Sequence, residues 1–325
     1  MARAPGKGYR KGISLVEIVQ MFPDDDTAER WFAENRWPDG VICPACGSDN
    51  VQTGTASKTQ PYRCREKGCR RRFSTKTGTV MQGSNIGYQK WAIAIYLALT
   101  NLKSVSSMKL HRDLNITQKS AWHMAHRIRE AFASDNGMFA GPVEADEVYM
   151  GGLERNKHKD KKLNGGRGPV GKTAVAGVKD RETNEVRAKV VRKTDTASLL
   201  EHIEQHVQDG STVYTDEALA YQNLTNRGYG HEAVKHGVGE YVRGMAHTNG
   251  IESFWAVLKR AHKGTFHKVS PKHLDRYVTE FEGKHNVRER DTIDQMVKIA
   301  SGMAGKRLRY GDLIADNGLD SGARG

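Results

Sequence analysis

The sequence predicts an α/β protein in which a cysteine-rich segment and a helical region precede a mixed-sheet domain. Three observations support this fold class. All four cysteines lie between residues 43 and 69. Apolar residues then recur with helical spacing over residues 77–140. From about residue 143 the pattern changes to short alternating runs separated by helical segments, which is typical of strands and helices that build one domain.

The composition indicates a polyanionic partner. The chain has 325 residues, enough for two domains or a large one with appendages. Lys and Arg number 51 against 38 acidic residues, which gives a net charge of +13. The excess is clustered, since residues 63–76 hold seven basic residues and one acid. Clustered positive charge suits nucleic acid, and the alternative is a solvated surface that only confers solubility.

Nothing in the sequence predicts a membrane segment or an export signal. The longest apolar run, Trp91–Leu99, is too short to span a bilayer. The basic N-terminus has no apolar segment behind it, so no signal peptide is expected. We therefore expect a cytoplasmic protein.

The cysteines follow the spacing C-x2-C-x17-C-x4-C. They are Cys43, Cys46, Cys64 and Cys69. Two thiolate pairs on separate turns are what tetrahedral Zn²⁺ requires, and four protein ligands make such a site structural. A disulfide framework is the alternative, but no secretion signal supports an oxidising compartment. Arginines that surround the second pair are expected to contact the DNA backbone: Arg63, Arg70, Arg71 and Arg72.

The helical regions are predicted at residues 12–36, Tyr88–Leu102, Ser106–Arg112 and Gln118–Phe132. Asp26 is the expected N-cap of a helix within residues 12–36. Thr117 is the expected N-cap of the helix Gln118–Phe132. The short turn between the last two helices resembles a helix-turn-helix, although a plain helical hairpin is an open alternative. Polar side chains on the last helix are expected to face outward and reach a DNA groove or phosphates: Gln118, Lys119, His123, His126 and Arg127.

The later part of the chain alternates strands and helices. Strands are predicted at 143–149, 173–179, 186–192, 212–215 and 232–235. Helices are predicted at 196–207, 217–227, 248–262 and 271–284. A glycine-rich basic loop, 153–172, is expected either to contact DNA or to serve as a disordered linker.

Three carboxylates and an amine stand out in this pattern. Asp146 and Asp216 each end a predicted strand, while Glu252 and Lys259 lie two turns apart on one face of a later helix. Three strands, a helix, a fourth strand and a later acidic helix is the order of a ribonuclease-H-like sheet, in which the first and fourth strands are adjacent. Buried carboxylates need a cation between them, and oxygen ligands favour Mg²⁺ or Mn²⁺. A pair of such ions activates water against a phosphodiester.

Other groups lie near these positions and leave the ligand set open. Glu144, Glu147 and Glu217 are close to the same strand ends, and Glu144 shares a strand face with Asp146 because side chains alternate. Asn249 lies one helical turn before Glu252.

Several motifs together resemble a known family. They are C-P-A-C at 43–46, Q-K-S-A-W-H-M-A-H-R-I-R at 118–129, E-A-D-E-V-Y-M-G-G at 144–152, Y-T-D-E at 214–217, H-T-N-G-I-E-S-F-W-A-V-L-K-R at 247–260 and G-K-R-L-R-Y-G-D-L-I at 305–314. Over residues 12–314 the chain resembles a bacterial insertion-sequence transposase of the DDE type, from the ISXO-like branch with an N-terminal zinc ribbon.

The resemblance implies a ribonuclease-H-like core, two Mg²⁺ ions and recognition of terminal inverted repeats. It makes Asp146, Asp216 and Glu252 the metal-binding triad and Lys259 the lysine that follows the glutamate. Asn249 and Arg260 are expected DNA contacts. The implied domains are 1–37 (helical), 38–76 (zinc ribbon), 77–140 (helix-turn-helix-like), 141–314 (catalytic) and 315–325 (flexible tail).

The expected reaction has two steps, hydrolysis at each element end and attack of the freed 3′-OH on target DNA, with both steps assisted by two metal ions. Pairing two ends requires at least a dimer. Two alternatives stay open: a zinc-ribbon and helix-turn-helix regulator that only binds DNA, and a nuclease of the same fold without strand transfer.

Overall fold

The computed structural model describes residues 10–133, 137–152, 156, 159–163, 170–216, 218–234 and 247–321. Two compact units make up the chain. The first comprises Met1–Ser134 and Val287–Ala315; the second comprises Asp135–Asn286 and Asp316–Gly325. Residues 287–314, which were predicted in the domain 141–314, thus group with the N-terminal unit.

Helices and strands follow one another along both units. The helices are α1 (Leu15–Met21), α2 (Asp25–Arg36), α3 (Tyr88–Thr100), α4 (Ser107–Leu114), α5 (Gln118–Phe132), α6 (Thr196–His206), α7 (Asn249–Ala261), α8 (Pro271–Val287), α9 (Thr292–Ser301) and α10 (Tyr310–Ile314). The strands are β1 (Val51–Gln52), β2 (Tyr62–Cys64), β3 (Arg72–Phe73), β4 (Val143–Met150), β5 (Thr173–Asp180), β6 (Val186–Val191), β7 (Thr212–Asp216) and β8 (Gly230–Val234). Within the described ranges, no helix is both long and apolar enough to cross a membrane.

The first unit is built around α3, whose middle is fully buried at Trp91 and Ile95. Its core also takes in Met296 and Ile299 of α9. After α9 the chain pairs with an earlier segment: the Val80 amide donates to the Met303 carbonyl at 3.1 Å, and the Gly305 amide donates to the Gly78 carbonyl at 2.9 Å. Residues far apart in sequence therefore share one hydrophobic core.

The predicted cap of the N-terminal helix is wrong by two positions. Residues 12–36 form two helices, and Asp24, with extended backbone, caps α2 by accepting from the Thr27 amide at 2.7 Å. Asp26 lies inside the first turn of α2, where a carboxylate favours the helix dipole without being the cap.

The paired helices α4 and α5 match the prediction closely. Thr117 caps α5, since its hydroxyl accepts from the Ser120 amide at 3.2 Å, as expected. The preceding helix ends at Leu114, two residues later than predicted, and Asn115 follows in the left-handed region with φ of 47°. A short turn, Asn115–Thr117, therefore joins the two helices.

The second unit contains a five-stranded mixed sheet in the order β6-β5-β4-β7-β8. Strand β4 is antiparallel to β5 and parallel to β7, while β5 pairs antiparallel with β6 and β7 pairs parallel with β8. The expected adjacency of the first and fourth strands of this unit, β4 and β7, is thus confirmed. Asp146 and Asp216 are borne by neighbouring strands.

Helices cover both faces of this sheet. Ala176 and Val178 of β5 pack in one apolar cluster with Leu199 and Ile203 of α6. Val175, of the same strand, packs instead with α7 and α8. Alternation of side chains along a strand therefore assigns α6 to one face and α7 and α8 to the other.

The predicted helix 217–227 is wrong. The described residues form only two 3-10 turns, Leu219–Tyr221 and Thr225–Arg227. One cause is local: the Asp216 carboxylate accepts from the Ala218 amide at 3.0 Å, a side-chain turn that competes with helical hydrogen bonding. Glu217 lies outside the described residues.

Candidate catalytic and zinc sites

Asp146 is fastened to helix α7 by a tryptophan. The Trp255 indole Nε1 donates to Asp146 Oδ2 at 3.1 Å. The indole fits there because residue 177 of the neighbouring strand, which pairs with Asp146, is glycine. A Cβ at Gly177 would lie 2.6 Å from Trp255 Cζ2. Trp255 thus makes a polar contact although it packs among the apolar side chains of α7, a role that its helical spacing does not indicate.

Glu144 holds the start of the same helix against the sheet. Glu144 is 2% exposed, and its Oε2 accepts from the Ile251 amide in the first turn of α7 at 2.9 Å. Arg181 Nε donates to the other oxygen at 2.9 Å. Any Cβ at Gly250 would lie 2.7 Å from Glu144 Oε2. Glu144 therefore shares the α7-facing side of β4 with Asp146, as expected, but serves to position the helix.

Several acidic side chains lie close enough to Asp146 to affect its pKa. Burial, together with the neighbouring charges of Glu147, Asp216 and Glu252, raises the pKa of Asp146 to about 7. Burial also raises the pKa of Glu147, whose Oε2 accepts from the Tyr221 hydroxyl at 3.0 Å. The structure thus brings all three predicted carboxylates into one electrostatic neighbourhood and adds Glu147 as a fourth.

Helix α7 separates a packing side from a polar side. Ile251, Phe254 and Leu258 are buried, whereas Glu252 and Lys259 are exposed. Glu252 Oε1 accepts from the Thr248 hydroxyl at 3.0 Å. Asn249 and Arg260 are exposed on the same helix.

This acidic set has the chemistry of a divalent cation site. Buried carboxylates that raise one another's pKa are stabilised by a positive charge between them, and hard oxygen ligands suit Mg²⁺ or Mn²⁺. Among the described residues, however, no three different carboxylates each place an oxygen within 4.8 Å of the other two. In this arrangement the three carboxylates therefore do not converge on one single ion.

The four cysteines form a tighter cluster. Their sulfur atoms all lie within 4.8 Å of one another. The Cys43–Cys69 and Cys46–Cys64 sulfur distances are 3.7 and 3.6 Å. Tetrahedral Zn–S bonds of about 2.3 Å require sulfur separations of about 3.8 Å, so the cluster fits zinc. Behind it pack Trp37 and Phe73, which form a small apolar core of their own.

The predicted DNA contacts fall into two groups, exposed side chains and buried ones. The ribbon arginines are exposed, as are Gln118 and Lys119 on α5. The expectation that His126 and Arg127 face outward is wrong, because they are only 0% and 9% exposed. The exposed arginines of the ribbon are Arg63, Arg70, Arg71 and Arg72.

The end of the first unit covers this side of α5. His123 Nε2 and Arg127 Nε both donate to the Leu308 carbonyl at 3.1 Å. The Tyr310 ring lies 5.5 Å from the His123 ring, and Lys119 Nζ lies 4.4 Å from the centre of the Tyr310 ring. The glycine-rich basic loop, 153–172, lies largely outside the described residues.

Comparison with known proteins gives consistent matches along the chain. Residues 138–286 match the ISXO2-like transposase domain, and residues 23–72 match the transposase zinc-ribbon domain. The chain is 31% identical over 283 residues to a protein of the transposable element ISH50 from Halobacterium salinarum, covering 83% of this chain and 93% of that protein. A transposase-like protein of Haemophilus influenzae is 31% identical over 100 residues, 31% of this chain and 80% of that one.

A chain in the cryoEM structure of a simian T-cell lymphotropic virus intasome in complex with PP2A regulatory subunit B56 gamma also matches. The match has 15% identity and a TM-score of 0.28, and covers 59% of this chain and 64% of that one. A score this low does not inform the fold. The family matches and the ISH50 relative do suffice to assign the family. The chain belongs to the ISXO2-like family of DDE-type insertion-sequence transposases.

Proposed function

We propose that Asp146, Asp216 and Glu252 form the site at which this transposase cuts the ends of its element and joins them to target DNA. One observation carries the assignment: β4 and β7 are parallel neighbours, and α7 is attached to β4 through Glu144 and Trp255. The strand order β6-β5-β4-β7-β8 supports a ribonuclease-H-like core.

Each residue has a distinct task in this proposal. Asp146, Asp216 and Glu252 would hold two divalent cations, Mg²⁺ or Mn²⁺. Bound there, the cations would activate the attacking oxygen and stabilise the leaving oxygen of the phosphodiester. Trp255 orients the Asp146 carboxylate, and Glu144 fixes the helix that carries Glu252. Lys259, exposed two turns after Glu252, would bind a DNA phosphate.

DNA-end recognition would come from the first unit. The proposed zinc ribbon presents exposed arginines, which suit phosphate contacts. The α4–turn–α5 pair has the plan of a helix-turn-helix, with Gln118 and Lys119 exposed at the start of its second helix. Asn249 and Arg260 would contact DNA beside the carboxylates. Pairing of two element ends would require at least a dimer.

The test is cleavage and strand transfer on DNA that carries the element's own ends, with Mg²⁺, comparing wild type with Asp216→Asn. Wild type should nick and join, while Asp216→Asn should bind the ends and leave them intact. Asp209→Asn, an exposed acid of the same unit, is the matched control and should react like wild type. End binding without any cleavage by wild type, in Mg²⁺ or Mn²⁺, would instead identify a DNA-binding regulator. Nicking without joining would identify a nuclease.

A further inference from the structure

The first unit contains a cationic cleft that lies outside the carboxylate site. Its volume is about 450 Å³, within the range of small-ligand pockets. Three arginines line it, Arg127, Arg307 and Arg309, and the described residues that line it include no aspartate or glutamate. Neutral polar side chains complete the wall: Gln82, Ser84, Asn85 and Ser120.

Two of the arginines, Arg127 and Arg307, are close enough for their charges to interact, and the charge of Arg307 also helps to lower the pKa of Asp312. Burial lowers the pKa of Arg127, and the nearby positive charge of Arg307 lowers it further. The Leu308 carbonyl accepts from Arg127 Nε. Among the described residues no hydrogen bond occupies the two terminal amino groups of Arg127, and no ion pair involves Arg307. The nearby Asp312 binds Arg309 through both of its oxygens, each at 2.9 Å.

Arginines in a concave site whose described lining includes no acidic side chain suit a group with several acceptor oxygens.

We propose that this cleft binds a phosphate of the DNA backbone together with its sugar. Arg127 and Arg307 bind the phosphate oxygens, and the half-exposed ring of Tyr310 lies beside the nucleotide. The inference rests on the proposed function, since it supplies the transposase with a DNA anchor apart from the catalytic carboxylates. The proposal also gives a role to the segment that follows α9. Backbone hydrogen bonds between residues 303–305 and 78–80 hold Arg307 at the cleft.

The experiment uses the full, zinc-loaded protein and a duplex of about 30 base pairs of mixed sequence, because phosphate contacts are independent of sequence. Affinity is measured for wild type, Arg307→Ala and Arg30→Ala over a range of salt concentrations. Arg307 is exposed, so its loss should not unfold the protein. Arg30 is an exposed arginine of α2 in the same unit and matches the change in charge.

Arg307→Ala should weaken binding roughly three- to tenfold and lower the slope of log affinity against log salt by about 0.9, the value for one phosphate. Arg30→Ala should change neither quantity. Equal affinity and slope for the two variants would overturn the proposal. Titration with inorganic phosphate or a deoxynucleoside monophosphate, followed by tryptophan fluorescence, tests whether the cleft binds a free phosphate compound instead of DNA. A response to these small anions that depends on Arg307, with unchanged DNA binding, would also overturn it.

The outcomes separate this proposal from the catalytic one. If wild type binds DNA but does not cleave its element ends, the catalytic assignment fails, while the effect of Arg307→Ala on binding still stands. If wild type cleaves normally and Arg307→Ala binds DNA as wild type does, only the cleft assignment fails.

Discussion

Trp255 Nε1 donates to Asp146 Oδ2 at 3.1 Å, so a side chain of the packing face of α7 also orients a carboxylate of the candidate catalytic site. Trp255→Phe keeps an aromatic ring in the core but removes the donor. Hydrogen bonds to charged groups contribute about 1.5–3 kcal/mol, so we expect single-turnover cleavage to slow about tenfold or more. DNA affinity should stay unchanged. A cleavage rate equal to wild type at limiting Mg²⁺ would contradict this role for the indole.

The contact between Gly177 and Trp255 predicts strong coupling between the two positions. Gly177→Ala places a Cβ 2.6 Å from Trp255 Cζ2, so we expect a loss of about 1–3 kcal/mol in unfolding free energy. Phenylalanine at 255 lacks the ring atoms that clash. Gly177→Ala should therefore cost much less in the Trp255→Phe background, which a double-mutant cycle by urea unfolding measures. Additive effects would show that the clash is relieved elsewhere.

Glu282 gives a pH dependence of stability in the second unit. Burial raises the pKa of Glu282 to about 7. The Ala188 amide donates to Oε2 at 3.0 Å and lowers the pKa, but this offsets only part of the effect of burial. The folded protein therefore binds a proton that the unfolded chain releases at lower pH. Stability from this group is fully present below about pH 4.5 and is lost as pH rises to about 7.

Glu282→Gln should remove this loss, because glutamine is neutral and still offers an acceptor to Ala188. We expect the variant to gain stability relative to wild type between pH 5 and 8, by up to about 3 kcal/mol. Glu201→Gln, an exposed change on α6, is the control and should follow wild type. Thermal unfolding at a series of pH values makes the comparison, and parallel curves for wild type and Glu282→Gln would refute the prediction.

Cys43→Ser should unfold the ribbon if the cysteine cluster holds zinc. The small apolar core of Trp37 and Phe73 is too limited to keep this segment folded without the metal. We expect loss of one zinc per chain by atomic absorption and weaker DNA binding, with the second unit unaffected. Lys58→Ala, an exposed change in the same segment, should keep the zinc. Full zinc content in Cys43→Ser would remove Cys43 from the ligand set.

Much of this architecture follows from local patterns in the sequence. Alternation predicted the five strands of the second unit, and helical spacing predicted α5 with the bounds that the structure has, because both patterns record which side chains are buried. Adjacency of β4 and β7 followed from the order of elements. The long-range contacts did not follow: Trp255 with Asp146, and Leu308 with Arg127, join positions whose spacing carries no periodic signal. The burial of Arg127 depends on a segment about 180 residues away, so amphipathic analysis of α5 alone made it appear solvent-facing.

The first unit is assembled from two stretches that residues 135–286 of the second unit separate in sequence. During synthesis on a ribosome, helices α1 to α5 emerge long before Met296 and Ile299, which complete their core. Part of the apolar surface of the N-terminal half is therefore uncovered until residues 287–315 have been made. The transposase accordingly gains its complete N-terminal unit, including the arginine cleft, only after residues 135–286 of the second unit have been made. A chain released early, as after a nonsense mutation near residue 286, would keep every predicted catalytic residue and yet lack a finished DNA-binding unit.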